Sequence, residues 1–404
     1  MSDLRGLLGV VVILAVAFLA SNNRSRIPWR TVAVGLALQI GFAVLVLRWS
    51  VGKDVLDFVA GQVRALIGYT TEGIEFLFSE LVTRSKATVF ALEVLPVIIF
   101  LGALVGLLYY LRVIQWVVDI VGGAIYRLLR TSKVESLYAS TVIFLGQSEA
   151  PLLIQSYLSR LTRSELFAIM TAGFASVAGS TLVGYALLGA PLPYLLAASV
   201  MNAPAALYMA KTMFPETEES QTQEGVRDVR DTESANVIDA TARGALNGGR
   251  IAVIVGCLLI AFISLIALAN GLLGGVGEWF GYDGLTFQKV LGWAFAPVAW
   301  LIGVPWDEAR QVGTYIGEKT VLNEFVAYAD FGPNIDKMSD QAVVITTFAL
   351  AGFANFSSIA IQIGSIGGLA PDRRGDVAQL GLKALLAGSM VNLTNAAIAG
   401  VVAG

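Results

Sequence analysis

Val142-Ile143-Phe144-Leu145-Gly146-Gln147-Ser148-Glu149-Ala150-Pro151-Leu152-Leu153-Ile154 is an apolar run interrupted by Gly-Gln-Ser-Glu and then by Pro. An ionisable group at membrane depth costs several kcal/mol, roughly 3 on insertion scales, so it is seldom there without a partner or a task. The second half of the chain repeats the anomaly in Val321-Leu322-Asn323-Glu324-Phe325-Val326-Ala327-Tyr328. Two carboxylates in apolar surroundings, one in each half, point to a polar binding site inside a membrane protein.

The composition agrees. Of 404 residues, 56% are hydrophobic and 14% charged, against about 25% charged in a soluble domain. Mean hydropathy is +0.72. There is no histidine, and Cys257 is the single cysteine. Ser-His-Asp and Cys-His catalysis, disulfides and ordinary zinc or haem ligation are therefore excluded. Cys257, within Ile254-Val255-Gly256-Cys257-Leu258-Leu259, reads as a small apolar packing residue. A net charge of −3 without a basic stripe gives no reason to expect nucleic acid as a partner. The apolar run 7–20 lacks a basic start, and Ser21-Asn22-Asn23-Arg24-Ser25-Arg26 is not a small-residue cleavage site. It is expected to be a retained span.

Apolar stretches of about 20 residues place eight spans near 6–21, 31–48, 89–112, 165–188, 191–212, 250–272, 341–367 and 376–402. Between 53 and 68, Val55, Leu56, Val59, Val63, Leu66 and Ile67 form one helical stripe, with Lys53, Asp54, Gln62 and Arg64 off it. That is an amphipathic helix for the membrane surface, and 114–130 has a similar character. Two apolar regions do not fit a simple span: 135–160, and 285–330 with Pro297, Pro305, Asp307, Gly313 and Asn323-Glu324. Both read as re-entrant hairpins, because non-helical backbone at membrane depth survives only where protein or a watery cavity satisfies it. The one soluble stretch, 215–240, is strongly acidic and reads as a solvated loop joining two halves. Basic residues in the loops at 24–30, 160–163 and 371–376 put those loops on the cytoplasmic side. Both termini then lie on the outer face, and the acidic loop 214–247 is cytoplasmic.

An internal repeat organises these elements. Ala172-Gly173-Phe174-Ala175-Ser176-Val177 recurs as Ala351-Gly352-Phe353-Ala354-Asn355-Phe356. Leu195-Leu196-Ala197-Ala198-Ser199-Val200-Met201-Asn202 recurs as Leu385-Leu386-Ala387-Gly388-Ser389-Met390-Val391-Asn392. Each copy is a broken hairpin with Glu, an interrupted span, then a span with Ser and Asn. The copies enter the membrane from opposite sides. An inverted repeat with interrupted helices is a signature of secondary transporters, which hold substrate and coupling ion near the midplane.

The polar residues within it suit such a site. Gly146 frees the backbone to turn; Gln147 offers donor and acceptor together; Ser148 supplies a hydroxyl and Glu149 accepts hydrogen bonds. Asn355 and Ser358, three residues apart, share a helical face. With Glu324 beside them and Phe353 as a wall, they suit a polyhydroxylated ligand. Ser357, Ser358 and Gln362 equally suit helix-helix packing, as does Phe353. The small, hydroxylic run from Ser176 through Thr181 fits an unwound helix whose carbonyls and hydroxyls hold sodium, or simple close packing.

At these residues the chain resembles the concentrative nucleoside transporter family. The strings that carry the likeness are 146–152, 199–207, 213–218, 323–328, 352–360 and 364–371, including Gly-Gln-Ser-Glu-Ala-Pro-Leu, Asn-Glu-Phe-Val-Ala-Tyr and Gly-Phe-Ala-Asn-Phe-Ser-Ser. It runs from roughly the third span to the C terminus, in order and spacing. The resemblance implies an all-α polytopic fold with eight transmembrane helices, two re-entrant hairpins and interfacial helices, assembled as a homotrimer. It implies sodium-coupled import of nucleosides such as uridine by an elevator-type movement, with no organic cofactor. Segments 1–134 and 214–284 would form a scaffold; 135–213 and 285–404 would form the two halves of a transport domain. By position, Gln147, Ser148 and Glu149 would face the nucleobase, with Thr181 lining the pocket. Glu324, Asn355 and Ser358 would hold the ribose, and Phe353 would flank it. Sodium would fall on the Ser148 and Ser176 hydroxyls and on carbonyls near Val142, Leu145 and Val177.

The chain departs from the family in two places: Ser148 stands where Thr is common, and Val142 where Asn is common. Some bacterial members use protons, whereas the two hydroxyls favour sodium here. Two other classes compete. A membrane enzyme could use Glu149 and Glu324 as acid and base, but nothing supplies a nucleophile or a metal partner. The alternative transporter would carry another small polar solute.

Overall fold

The computed structural model describes residues 2–79, 81, 89–222, 234–279, 281 and 284–404, and these are almost all helical, with no strand among them. Helix α1 (Ser2–Leu19) turns at 24–26 into α2 (Trp29–Leu47). Next come α3 (Ser50–Gly68) and α4 (Thr70–Phe78). Helix α3 begins a turn before the expected start and buries only Gly52 and Ala60. Val55, Phe58 and Val59 stay outside the protein core, where lipid can cover them. A one-turn helix, α5 (Phe90–Glu93), leads into α6 (Leu95–Tyr110), and α7 (Val113–Leu129) is the second amphipathic helix. It buries Ile114, Val118, Gly122, Ile125 and Leu129 along one stripe.

The first hairpin consists of α8 (Lys133–Thr141), a turn through Gly146, and a 3-10 return over Ala150–Arg160 with Pro151 in its first turn. The next span is broken: α9 (Arg163–Ala175) ends, residues 176–178 are extended, and α10 (Gly179–Leu187) resumes. Helix α11 (Leu192–Met213) closes the first copy of the repeat. Capping boxes start both α8 and α9, at Ser132 with Glu135 and at Thr162 with Glu165.

Helix α12 (Val237–Trp279) runs for 43 residues, well beyond the expected span 250–272. It packs along α6 through glycines on both sides. A Cβ at Gly102 would lie 2.5 Å from the Gly244 carbonyl, and one at Gly248 would lie 2.5 Å from that of Ile98. Small residues that let backbones approach are the usual means of helix association in lipid. Cys257 is exposed on the outer face of α12, not packed inside the protein.

The second hairpin differs from expectation. The region 285–330 is not one hairpin. It holds α13 (Phe287–Leu301), then a 116° bend, then α14 (Trp306–Val321) and α15 (Glu324–Phe331), with the tip at Leu322-Asn323. Pro297 sits inside α13 without ending it. The chain turns instead at Gly303, whose φ of +111° suits glycine, and at Pro305. A 3-10 turn over Gly332–Lys337 leads to a second broken span. Its parts are α16 (Asp340–Leu350) and α17 (Phe356–Leu369), followed by α18 (Arg374–Ala403).

The start of the acidic loop is anchored. Glu216 accepts from Thr162 at 2.7 Å and lies 3.5 Å from the buried Lys211. Ser220 and Thr222 both donate to Glu165, at 2.6 and 2.5 Å. The remainder of that loop, 223–233, lies outside the described residues.

Candidate functional site

Both hairpin tips and both helix breaks converge. The two breaks pair directly: the Phe353 backbone N–H donates to the Ser176 carbonyl at 3.1 Å. Asparagines stand at the starts of the two half-helices of the second copy. Asn323 caps α15, its side chain accepting from Val326 N at 3.0 Å, and Asn355 caps α17, accepting from Ser358 N at 2.9 Å. A helix start carries orphan N–H groups and the positive end of the dipole, so it favours negative charge. Glu324, the first residue of α15, is placed accordingly. One carboxylate oxygen accepts from Asn355 Nδ2 at 2.8 Å and the other from Tyr185 OH at 3.1 Å. The side chain is buried.

From the first hairpin, buried Gln147 reaches the same helix, α17. Its amide donates to Ser358 Oγ at 2.8 Å, and its carbonyl accepts from Gln362 Nε2 at 3.0 Å. Gln362 also donates to the Met170 carbonyl at 3.1 Å. The structure thus joins Gln147 to Ser358 and Tyr185 to Glu324 across the two copies, and Glu324 to Asn355 within the second. Buried Thr181 donates to the Ala178 carbonyl at 2.8 Å, bracing the restart of α10. Ser148 is exposed at the tip. Glu149 points elsewhere: it accepts from Asn247 Nδ2 of the long helix α12 at 2.6 Å. Two buried polar atoms near these groups, Asn323 Nδ2 and Gln362 Oε1, have no hydrogen-bond partner. Such atoms in a native protein mark a place for a ligand or water.

A cation would find oxygen donors beside this site. The carbonyls of Val142, Leu145 and Val177 accept no hydrogen bond among the described residues. The hydroxyl of Ser176 donates to the Gly173 carbonyl at 3.0 Å, so its lone pairs remain free to coordinate. Gly179 N donates to the Phe144 carbonyl at 3.1 Å, tying the first hairpin tip to the break. Carbonyl and hydroxyl oxygens suit a hard cation.

Some participants went unread in the sequence. Tyr185 is one helical turn beyond Thr181, so the shared face was a usable signal. Its ring stacks on Tyr328 at 4.5 Å and meets Phe325 edge-on at 4.8 Å. Lys319, 3% exposed, carries the same warning as Glu149, an ionisable group in an apolar hairpin. It donates to the Ala349 carbonyl at 2.8 Å and to Asn392 Oδ1 at 2.7 Å. Asn392 Nδ2 in turn donates to the carbonyls of Ala175 (2.9 Å) and Ala351 (3.0 Å) and to Asn202 Oδ1 (3.2 Å). Asn395 continues the network to Asn202 and, through Gln39 of α2, to Tyr208. Asn247 gave no signal, because it precedes the stretch that reads as a span.

Duplicated hairpins, broken spans and a polar site where all four meet define a membrane transporter. The chain belongs to the Na+-dependent nucleoside transporter family. The family's C-terminal model matches residues 194–400, its N-terminal model residues 8–81, and a nucleoside-recognition gate model residues 91–192. The Bacillus subtilis transporter YutK is 54% identical over 99% of this chain and 100% of its own length. The nucleoside permease NupC of Helicobacter pylori is 40% identical over 100% and 98%. The structure of CNTnw in an inward-facing substrate-bound state is 47% identical, covers 100% of this chain and 98% of that one, and superposes with a TM-score of 0.94. Variants of CNTnw solved in outward-facing and intermediate states match closely as well, with TM-scores of 0.97 and 0.95.

Proposed function

We propose that this protein is a sodium-coupled symporter that imports nucleosides such as uridine across the cell membrane. The observation that carries the reading is the cross-copy cluster of Glu324, Asn355, Gln147 and Ser358. A carboxylate held by an amide and a phenol keeps a lone pair on each oxygen for ribose hydroxyls. Gln147 presents donor and acceptor together, which matches a base edge. Ser148 and Glu149 complete the tip, Thr181 and Phe353 the walls.

Sodium would sit on the Ser148 and Ser176 hydroxyls and the carbonyls of Val142, Leu145 and Val177. Coupling then has a short path. The Ser176 carbonyl accepts from Phe353 N, and Phe353 leads directly into Asn355 and α17. A cation that orders residues 176–178 therefore orders the ribose side, which is coupling by differential affinity. The decisive experiment is a thermal-shift panel of nucleosides in sodium and in choline. Nucleosides that stabilise the protein only with sodium are expected; equal stabilisation in choline would refute sodium coupling. Ser176→Ala is expected to raise the sodium concentration for half-maximal uptake about tenfold, since one lost ligand is worth roughly 1.4 kcal/mol. An unchanged sodium curve would remove Ser176 from the site.

The movement would be an elevator-type shift of segments 135–213 and 285–404 against a scaffold of 1–134 and 214–284, in a homotrimer with both termini on the outer face. The states in which CNTnw was solved support alternating access. In this reading the Glu149–Asn247 bond crosses the sliding boundary and must break in each cycle. Asn247→Ala is expected to change uptake rate severalfold while nucleoside affinity stays within about twofold, because only a state-dependent hydrogen bond is lost. A matched loss of affinity would place Asn247 in the binding site instead.

A further inference from the structure

We propose that Lys319 is a tethered cation: it does for the broken span of the second copy what a free cation does for that of the first, and so holds the nucleoside site in its binding geometry. The proposal rests on the reading of the first hairpin as the sodium site.

The geometry is specific. Helix α9 ends at Ala175 and α16 at Leu350, and these two C-terminal ends meet inside the protein. The last carbonyls of a helix lack partners within it and carry the negative end of the dipole. In transporters with broken helices such ends coordinate the coupling ion. Here three of these carbonyls are collected by one device. Lys319 Nζ takes Ala349 directly at 2.8 Å and takes Asn392 Oδ1 at 2.7 Å. The amide of Asn392 takes Ala175 at 2.9 Å and Ala351 at 3.0 Å. No carboxylate lies within ion-pair distance of Lys319 among the described residues. Helix-end carbonyls and an amide are its hydrogen-bond partners, as they would be for a bound metal cation, and the Glu324 carboxylate acts on it from beyond ion-pair distance.

The two copies correspond. In the first, the hairpin helix α8 is followed by the carbonyls of Val142 and Leu145, oxygen ligands for a mobile ion. In the second, Lys319 stands in the last turn of the hairpin helix α14 and supplies the ion itself. Asn392 bonds both breaks, so the fixed charge steadies the Ser176–Phe353 pairing that sodium acts on. Lys319 is thus a positioning residue; it contacts none of the candidate substrate groups.

The test uses the full chain in detergent and in proteoliposomes. Lys319→Ala is expected to lower nucleoside uptake at least tenfold. Methylammonium, small and N–H-donating, should restore part of it and raise the melting temperature, whereas tetramethylammonium should do neither. The sodium dependence of the variant should become steeper, its Hill coefficient rising as a second sodium takes the vacated place. The melting response needs no nucleoside, so it separates this proposal from the transport reading, which the wild-type nucleoside panel tests. Wild-type uptake and sodium dependence in Lys319→Ala would overturn the proposal, as would equal responses to the two ammonium ions. If Lys319→Ala yields no folded protein with any cation, Lys319→Arg decides. Retained folding and nucleoside binding with the guanidinium support a requirement for charge; complete failure shows a requirement for shape and ends the proposal.

Discussion

Glu324→Gln is expected to reduce uridine uptake by ten- to a hundredfold while leaving the fold intact. A glutamine amide can turn so that its oxygen accepts from Asn355 and its NH2 faces the Tyr185 hydroxyl, which accepts. Both existing partners, at 2.8 and 3.1 Å, therefore stay satisfied. The loss falls on the ligand. A carboxylate offers further lone pairs to two ribose hydroxyls, and a hydrogen bond to a charged acceptor is worth about 1.5–3 kcal/mol. That is roughly ten- to a hundredfold in affinity. Uptake of labelled uridine into proteoliposomes, with the melting temperature measured alongside, checks it. Near wild-type uptake would sink the ribose assignment, and a collapsed melting temperature would mean that Glu324 is structural.

Gly352→Ala is expected to destabilise the protein and abolish stabilisation by nucleoside and by sodium together. A Cβ at Gly352 would lie 2.6 Å from the Ala175 carbonyl and 2.6 Å from Asn392 Nδ2. The first is backbone and the second is held by three acceptors, so neither can retreat alone. The two breaks must separate, which strains or severs the Phe353–Ser176 bond. Overpacking of this kind costs about 1–3 kcal/mol or more. The distinguishing readout is the joint loss of both ligand responses in a thermal-shift assay. A variant that melts and responds like the wild type would show that the breaks need not touch.

Much of this was legible in the residues. Gly146, Pro151 and Asn323 are backbone signals, and an interruption of an apolar run by such residues has few physical meanings. The repeat pointed to an interrupted span in each copy, and the run from Ser176 through Thr181 marked the first. The second break, at 351–355, lay inside a stretch that reads as a continuous span 341–367, with Asn355 and Ser358 on one helical face, whereas Asn355 is the extended cap of α17. What stayed hidden had two causes. Pro297 looks like a break yet sits in α13, since losing one backbone donor does not end a helix that has other packing; Gly303 and Pro305 make the turn. Tyr185, Lys319 and Asn247 matter through distant partners, and a single sequence carries no record of which faces will meet. Asn392 stands in the repeat as one end of a matched string, and nothing in the string shows what it or Asn395 bonds; polar residues on a span suit inter-helix bonds. These two make such bonds, and the bonds they make are the junction of both breaks.

The length of α12 changes what Glu149 means. At 1.5 Å per residue its 43 residues reach about 65 Å, twice the roughly 30 Å of a hydrocarbon core. Such a helix must lean or project into water at its ends. Asn247 lies about 15 Å from the helix start at Val237 by the same rise, so the carboxylate it holds sits at the shallow end. Glu149 is half-buried, and its neighbour Ser148 is exposed. The carboxylate that looked prohibitive in an apolar run is tied to a residue that precedes the apolar stretch of α12, whereas Glu324 and Lys319 are fully enclosed by the protein.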